Sequence, residues 1–271
     1  TNQNPYSECD VKSLTDEGGF LARRRTGGGA VYHDLGNLNF SFVADKEIYD
    51  VKRQMTVIQK ALLNYGLETE VSGRNDITYQ GRKFSGNAFA KTKYQGLHHG
   101  TILIKTDGEK LQRYLKVKPA KLHKHGVKSV ASRVINLSEV ADITSENIIP
   151  YLITAFENVY QGKATNIDFN TLCDEDTINQ SRHIGSNEYL FGKWKEFHTK
   201  KSAAFEWGSI DIDIDIDEDK GIIKDINIAS DSLEPTSIEL AINILKGNNI
   251  NNKPTFPEDN TIVKDIIEMI Y

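Results

Sequence analysis

A strictly alternating run of isoleucine and aspartate, IDIDIDID at 210–217, most constrains the fold of this chain. Successive side chains of a β-strand point to opposite faces, so this run predicts a strand with one apolar and one acidic face. EDKG then predicts a turn, and IIKDINIAS predicts a return strand. Because the aspartates line one side of a sheet without converging, they indicate a solvated face in preference to a metal site.

Helical and strand-like stretches occupy much of the remaining chain without a regular alternation. The clearest helical pattern, at 50–66, ends in a glycine suited to a left-handed cap, and similar patterns cover 148–160 and 236–247. A pair of strands is predicted within 77–89 and a further strand from 97. This irregular mixture predicts an α+β fold and not a doubly wound sheet.

The composition changes near residue 197, where FHTKKSAA is polar and weakly patterned. That segment predicts a linker between two domains. We therefore expect a larger domain over 1–197 and a small α+β domain, built from the predicted hairpin and helices, over 203–271.

Charge, apolar content and cysteine number limit the functional classes. The net charge of −5 argues against a general nucleic-acid binder. No apolar run approaches the roughly 18 residues that span a bilayer, so no membrane partner is expected. The two cysteines, Cys9 and Cys173, cannot form a disulfide framework and indicate a reducing compartment.

The segment RRRTGGG, at 23–29, places three arginines beside three glycines. Glycines permit close backbone approach, and guanidinium groups suit carboxylates or phosphates, so the segment is a candidate anion site. The alternative is a glycine-rich turn beside a solvated basic strand end. A Walker A phosphate loop is excluded, because its spacing occurs neither here nor at 73–86.

Two further stretches contain candidate site residues. In SGRNDITYQGRKFSGNA, at 72–88, Lys83 is either a solvent-facing partner of Asp76 or a fixed cation aimed into a pocket, and the pattern favours neither. In HHGTILI, His98 and His99 point to opposite faces of a strand, so we expect one to face a pocket and the other to face out. From the pattern alone, a structural role for this pair is favoured over a catalytic one.

The stretch 105–134 is strongly basic. It is interpreted as a solvated loop, as a cationic flap that excludes water from a reactive centre, or as an RNA-binding segment.

Taken together and in this order, these motifs resemble those of the lipoate–protein ligases over nearly the whole chain. NQNPYSEC, ARRRTGGGAVYHDLGN, SGRNDI, GRKFSGNA, HHGTILI and GVKSVASRVINL match the family's catalytic domain, and FEWGSIDIDID with its return strand matches its accessory domain. The resemblance implies a mixed-sheet catalytic domain of the biotin/lipoate ligase type, followed by a small α+β C-terminal accessory domain. It also implies that an N-terminal part of the catalytic domain precedes the first residue of this sequence.

The resemblance implies an ATP-dependent, AMP-forming reaction in two steps. Lipoate and ATP give lipoyl-AMP, and a specific lysine of an apo lipoyl domain then takes the lipoyl group. Lys83 matches the family's catalytic lysine between the α-phosphate and the lipoyl carbonyl oxygen. The resemblance implies that lipoate contacts Gly28, Lys83 and His99 and that Mg²⁺ is bound at Asp76. It also implies a set of ATP-binding residues: Arg24, Gly29, Ala30, Val31, Tyr32, Asn75, Asp76 and Lys83.

The implied acceptors are the E2 subunits of 2-oxoacid dehydrogenases and the glycine cleavage H protein. The chain is expected to be a monomer that lies in the cytoplasm of a bacterium or the mitochondrion of a eukaryote. The sequence does not rank lipoate against octanoate, nor one acceptor against another.

Two alternatives stay open at this point. One is a lipoyl or octanoyl transferase that uses a pre-activated acyl donor. A cysteine nucleophile is disfavoured for it, because neither Cys9 nor Cys173 lies in a pocket motif, but a transferase that uses pre-formed lipoyl-AMP needs no such cysteine. The other is a non-catalytic module that binds lipoyl domains or RNA.

Overall fold

The computed structural model describes residues 2–116, 134–191, 199–217 and 220–271. These residues divide into two compact units. The first, here called the terminal unit, contains residues 2–30, 116, 179–191, 199–217 and 220–271, and the second, the sheet unit, contains 31–115 and 134–178. The expected division at 197–203 stays a prediction, although the terminal unit joins both ends of the chain.

The helices and strands are numbered in chain order. The helices are α1 (Pro5–Glu8), α2 (Val11–Asp16), α3 (Val51–Leu63), α4 (Gly108–Tyr114), α5 (Ser145–Tyr160), α6 (Glu175–Ile184), α7 (Asn187–Phe191), α8 (Pro235–Leu245) and α9 (Thr261–Ile270). The strands are β1 (Asn37–Asp45), β2 (Glu70–Ser72), β3 (Asp76–Tyr79), β4 (Arg82–Lys91), β5 (Gln95–Leu103), β6 (Thr199–Phe205), β7 (Gly208–Asp217) and β8 (Ile222–Ser230). The chain is α+β, as predicted.

The sheet unit is built on a five-stranded antiparallel sheet with the order β1-β5-β4-β3-β2. Apolar side chains of α3 and α5 pack with the sheet in one core, which includes Ile58, Ile77, Phe84, Ile102 and Ile148. An antiparallel sheet commonly buries one face in this way and leaves the other polar. The opposite face of this sheet, which carries polar side chains, is therefore the candidate location of an active site.

Local sequence explains two element boundaries of this unit. Helix α3 begins after Asp50, whose side chain accepts the N–H of Arg53, and the chain after the helix turns at Gly66 with φ +73°. Strands β3 and β4 are joined by Gln80 and Gly81, both with positive φ, which is typical of a type I′ hairpin turn. The predicted helix at 50–66 and the predicted hairpin are both confirmed.

The terminal unit contains a three-stranded antiparallel sheet, β6-β7-β8, with helices α8 and α9 packed on its apolar face. Ile210, Ile212 and Ile214 are buried in that core, so the predicted two-faced strand is confirmed. The linker predicted at 197–204 is wrong from Thr199 onward, because β6 pairs with β7 along its length. Among the described helices, none is long and apolar enough to cross a membrane.

Candidate active site

Strand pairing brings polar side chains from four strands onto the sheet face opposite the α3–α5 core. Directly opposed residues of antiparallel strands share a face. The pairs Ser41–His99, Ala88–His99 and Asp76–Gly86 therefore place His99 and Asp76 on the same side. We call this surface the polar face, and its members are Asn39, Ser41, Asp76, Lys83, His99 and Thr101.

Lys83 reaches the polar face because of a β-bulge. Residues 83 and 86 are three positions apart and would point to opposite faces of a regular strand. The register between β3 and β4 shifts at Ile77 and Thr78, so Lys83 opposes Thr78 while Gly86 opposes Asp76. Bulges re-aim side chains in this way and are over-represented next to active sites.

The re-aimed lysine forms an ion pair across the hairpin. The Nζ atom of Lys83 lies 2.6 Å from Oδ1 of Asp76, and both side chains are about a third exposed. A Cβ atom at Gly86 would lie 3.0 Å from Nζ and Cε of Lys83, so the glycine leaves room for the ammonium group. The pairing of Lys83 with Asp76 is thus confirmed, whereas its direction into a ligand pocket stays a prediction.

The two adjacent histidines point to opposite faces, as predicted. His99 is half-buried on the polar face, whereas His98 is fully buried and packs against Phe40, Phe42 and Phe89. Burial lowers the pKa of His98 to about 4, with a smaller contribution from His99. His99 is therefore the histidine available to a ligand on the polar face.

Asn75, at the start of β3, is tied to β4. Its side-chain nitrogen donates to the carbonyl oxygen of Asn87, and its own carbonyl accepts both the main-chain and the side-chain N–H of Asn87. Asn75 thus fixes the position of Asp76, the next residue. Its proposed contact with nucleotide stays a prediction.

The segment before β1 contains two further predicted site residues. Val31 is half exposed, and the ring of Tyr32 lies 5.7 Å from that of Tyr114. Burial, together with Asp34 and Asp107, raises the pKa of the Tyr32 hydroxyl. Asp34 accepts the main-chain N–H groups of Gly36 and Asp107, so its carboxylate stabilises the turn.

The other predicted site residues lie in the terminal unit, where Arg24 organises the glycine loop, residues 27–29. Its guanidinium group donates to the hydroxyl of Thr26 and to the carbonyl oxygens of Gly27 and Gly29. Burial lowers the pKa of Arg24. Gly29 and Ala30, which follow, are half-buried.

The glycine loop also packs against the segment between β8 and α8. The N–H of Gly28, whose φ is +94°, donates to the carbonyl oxygen of Ser232 at 2.8 Å. A Cβ atom at Gly27 would lie 2.2 Å from that oxygen and 2.8 Å from Cα of Leu233. Two of the three glycines therefore have an internal packing requirement in addition to any contact with a ligand.

The remaining sequence candidates are less informative. Burial and the neighbouring Glu8 raise the pKa of the Cys9 thiol, which weakens it as a nucleophile. Of the basic stretch 105–134, the structure describes 105–116, which include α4, whereas 117–133 lie outside the described residues. Sequence reasoning did not single out Gly86 and Thr101, although Thr101 accepts the N–H of Gly86 at the polar face.

Two family models match the chain. The lipoyl protein ligase A/B catalytic domain matches residues 1–157, and the bacterial lipoate protein ligase C-terminus matches 195–254. A lipoate-protein ligase A from Bdellovibrio bacteriovorus is 40% identical over 255 residues, which are 91% of this chain and 74% of the relative.

Solved structures give the same family. The Plasmodium falciparum protein LipL1, solved in complex with lipoate, is 32% identical with a TM-score of 0.80 over 98% of this chain and 80% of its own. A lipoate-protein ligase A bound with ATP is 28% identical with a TM-score of 0.59 over 71% and 78% of the two chains. A bi-partite ligase from Thermoplasma acidophilum, described with its E2 lipoyl domain, is 28% identical with a TM-score of 0.61 over 73% and 80%. The chain therefore belongs to the lipoate–protein ligase family.

Proposed function

We infer that this chain is an ATP-dependent ligase that activates lipoate and transfers the lipoyl group to proteins. Its family membership and the lipoate and ATP bound by the related structures support this function. Within the chain, the observation that carries the proposal is the ammonium group of Lys83, held by Asp76 above Gly86 on the polar face.

The reaction that we propose has two steps. A carboxylate oxygen of lipoate attacks the α-phosphorus of ATP, the bond to the β-phosphate oxygen breaks, and pyrophosphate leaves with the electron pair. The amine of an acceptor lysine then attacks the carbonyl carbon of lipoyl-AMP, and AMP leaves as the amide forms. The acceptor amine loses a proton in this second step, and no nucleophile from the ligase is required.

Lys83 is the proposed catalytic residue of both steps. Negative charge develops on phosphate oxygens in the first step and on the carbonyl oxygen in the second. A preorganised ammonium group stabilises such charge without reorganisation, and this kind of stabilisation is often the largest single contribution to catalysis. The pairing with Asp76 orients Nζ, while the partial exposure of both side chains leaves it accessible.

The residues present fit a magnesium ion that arrives with ATP. Among the described residues, no group of three histidine, cysteine or acidic side chains could enclose a metal ion. Mg²⁺ is usually held by one or two carboxylates together with substrate phosphates, so a single carboxylate at Asp76 is compatible with it. When bound, the ion would neutralise phosphate charge, while Asp76 would also keep its hydrogen bond to Lys83.

The remaining assignments extend the proposal to ligands and partners. The sequence-based assignments stay predictions: lipoate at His99 and at Gly28, and ATP at Arg24, Gly29, Ala30, Val31, Tyr32 and Asn75. The Thermoplasma relative, described with an E2 lipoyl domain, supports lipoyl domains as acceptors. E2 subunits, the H protein, a monomeric state and the cytoplasm or mitochondrion stay predictions.

The intact mass of an apo lipoyl domain tests the proposal. The domain is incubated with this chain in two reactions, one with lipoate and Mg-ATP and one with synthetic lipoyl-AMP. A mass gain of one lipoyl group in both reactions is expected. A mass gain with lipoyl-AMP alone would contradict the ligase proposal and favour a transferase. No mass gain in either reaction would favour a non-catalytic binding module. Substituting alanine for the acceptor lysine provides the control.

A further inference from the structure

The buried histidine, His98, is linked by hydrogen bonds to the hairpin that contains Lys83. Its Nδ1 atom lies 3.0 Å from Oε1 of Gln54 on α3, and its Nε2 atom lies 2.8 Å from Oδ1 of Asn87 on β4. The side chain is fully buried. A polar group in such a position is costly unless both of its nitrogens are satisfied.

The surrounding groups define which nitrogen carries the proton. Burial favours a neutral ring, as the low pKa of His98 also indicates, and a neutral ring has one donor and one acceptor. The amide nitrogen of Asn87 donates to the carbonyl of Asn75 and to Ser85, so its oxygen must face the ring. Nε2 is therefore the donor.

The amide of Gln54 completes this arrangement. Its oxygen faces Nδ1, while its nitrogen makes no hydrogen bond of ordinary length and angle, although the Gln54 side chain interacts with Tyr160. A rotation of this amide by about 180° presents the nitrogen to the ring, which gives Nδ1 the donor that it needs as an acceptor. The ring of His98 then donates to Asn87 and accepts from Gln54.

We propose that His98 is a positioning residue for catalysis, acting through Asn87 and Asn75 to hold Asp76 against the ammonium group of Lys83. Asn87 bonds Asn75 through three hydrogen bonds, and Asp76 follows Asn75 directly. The ring of His98 keeps the Asn87 side chain in the rotamer that makes one of these bonds. This inference rests on the proposed role of Lys83, and His98 itself contacts no substrate.

Three variants separate positioning from general stability. His98→Leu removes the donor to Asn87, and His98→Gln places an amide nitrogen near the position of Nε2 and restores it. Ile102→Val trims a fully buried side chain on the same face of β5 and serves as the control for packing. Each variant is compared with the unmodified chain at a temperature where all are folded.

The first readout does not depend on catalysis. Amide hydrogen exchange at Asn87, whose N–H donates to Asn75, is expected to accelerate about tenfold in His98→Leu and to recover in His98→Gln. Equal exchange at Asn87 in the unmodified chain and in His98→Leu would overturn the proposal. Acceleration of the same size in Ile102→Val would also overturn it, because general loosening would then explain the effect.

The second readout is pyrophosphate release with lipoate and Mg-ATP. We expect kcat to fall about tenfold in His98→Leu with KM for ATP nearly unchanged, as found for residues that orient a reacting group. His98→Gln should recover most of the loss, and Ile102→Val should show none. Unchanged kcat in His98→Leu alongside faster Asn87 exchange would overturn positioning. An unmodified chain that releases no pyrophosphate would instead reject the proposed function, while the exchange result still decides the hydrogen-bond link.

Discussion

The glycine loop of the terminal unit and the polar face of the sheet unit differ in how their charged groups are used. In the glycine loop, Arg24 donates to carbonyl oxygens of the loop itself, and Gly27 and Gly28 pack against Ser232 and Leu233. On the polar face, Lys83 has a carboxylate partner and remains about a third exposed. The densest positive charge of the sequence therefore includes an arginine with a structural role, while the proposed catalytic group is a less conspicuous lysine.

This difference shows that one sequence pattern can have a structural cause as well as a ligand-binding one. Three arginines beside three glycines suggest a ligand, but the same residue types are needed wherever backbones approach closely and carbonyls lack partners. A lysine in a hairpin suggests a solvated strand. The sequence offers Asp76 as a partner of Lys83, but the bulge that brings both side chains to one face is evident only from the strand pairing.

The largest expected effect is that of Lys83→Met, which removes the charge and keeps most of the side-chain volume. We expect pyrophosphate release to fall about 10³-fold, or roughly 4 kcal/mol of activation free energy. An ion pair whose side chains are about a third exposed contributes less than about 1 kcal/mol to stability, so the free energy of unfolding should change little.

Lys91→Met is the matched control, because Lys91 lies on the same strand, is exposed and sits 5.3 Å from the ring centre of Tyr49. It should retain full activity. Equal losses in both variants would mean that net charge, and not the position of Lys83, accounts for the result.

The second prediction concerns pH and compares His98 of the sheet unit with Arg24 of the glycine loop. The pKa of His98 is about 4 in the folded chain against an ordinary value of 6.5, so the unfolded chain binds this proton more readily. The contribution to stability is complete above pH 6.5 and is lost as the pH falls toward 4. Arg24, although its pKa is also lowered, stays charged throughout this range, so the glycine loop has no matching titration.

Urea unfolding measures this effect. Between pH 7 and pH 5, the free energy of unfolding of the unmodified chain should fall by about 2 kcal/mol more than that of His98→Gln. The comparison removes the contribution of carboxylates, which both proteins share. Parallel pH profiles would show that His98 is not neutral in the fold.

Much of the fold was predictable because its local signals agree with its packing. The alternating isoleucines specify β7, and Asp50 with Gly66 frames α3. Strand β6 was missed because KKSAA has neither β-branched residues nor strong alternation, and pairing with β7 supplies what propensity lacks. Residues 2–30 pack in one unit with the described residues after 178, and no local pattern in the sequence encodes this long-range packing.

The candidate site was predictable to a smaller extent. The residues at 75, 76 and 83 were proposed as site residues from their motif, which stays a prediction, and the opposite orientation of His98 and His99 followed from strand geometry. The bulge that re-aims Lys83 depends on how β3 pairs with β4, and the role of Ser232 depends on contacts between segments about two hundred positions apart. Neither leaves a local signal.

The third prediction tests the packing role of the glycine loop. Gly27→Ala would place Cβ within 2.2 Å of a backbone oxygen that cannot rotate away. We expect the free energy of unfolding to fall by about 2 kcal/mol, as for other overpacked sites. Gly108→Ala is the control, because no atom lies within 4 Å of its Cβ position and its φ is not positive. If Gly27→Ala left the free energy of unfolding unchanged, the packing role would be rejected and only the ligand-contact interpretation of the glycine loop would remain.

The smallest effect is expected for Gly86→Ala, which brings the two regions into direct comparison. Its Cβ atom would lie 3.0 Å from the end of the Lys83 side chain, which can rotate away. The free energy of unfolding should therefore change by less than about 0.5 kcal/mol. Displacement of Nζ should nevertheless slow pyrophosphate release about tenfold, since small misplacements of catalytic groups are expensive. Gly27→Ala and Gly86→Ala thus add the same methyl group with different consequences. Gly27→Ala should lower mainly the free energy of unfolding, and Gly86→Ala should lower mainly the rate of pyrophosphate release. Equal stability losses would contradict this distinction, because they would mean that Lys83 is packed as rigidly as the glycine loop and has no freedom to follow a substrate.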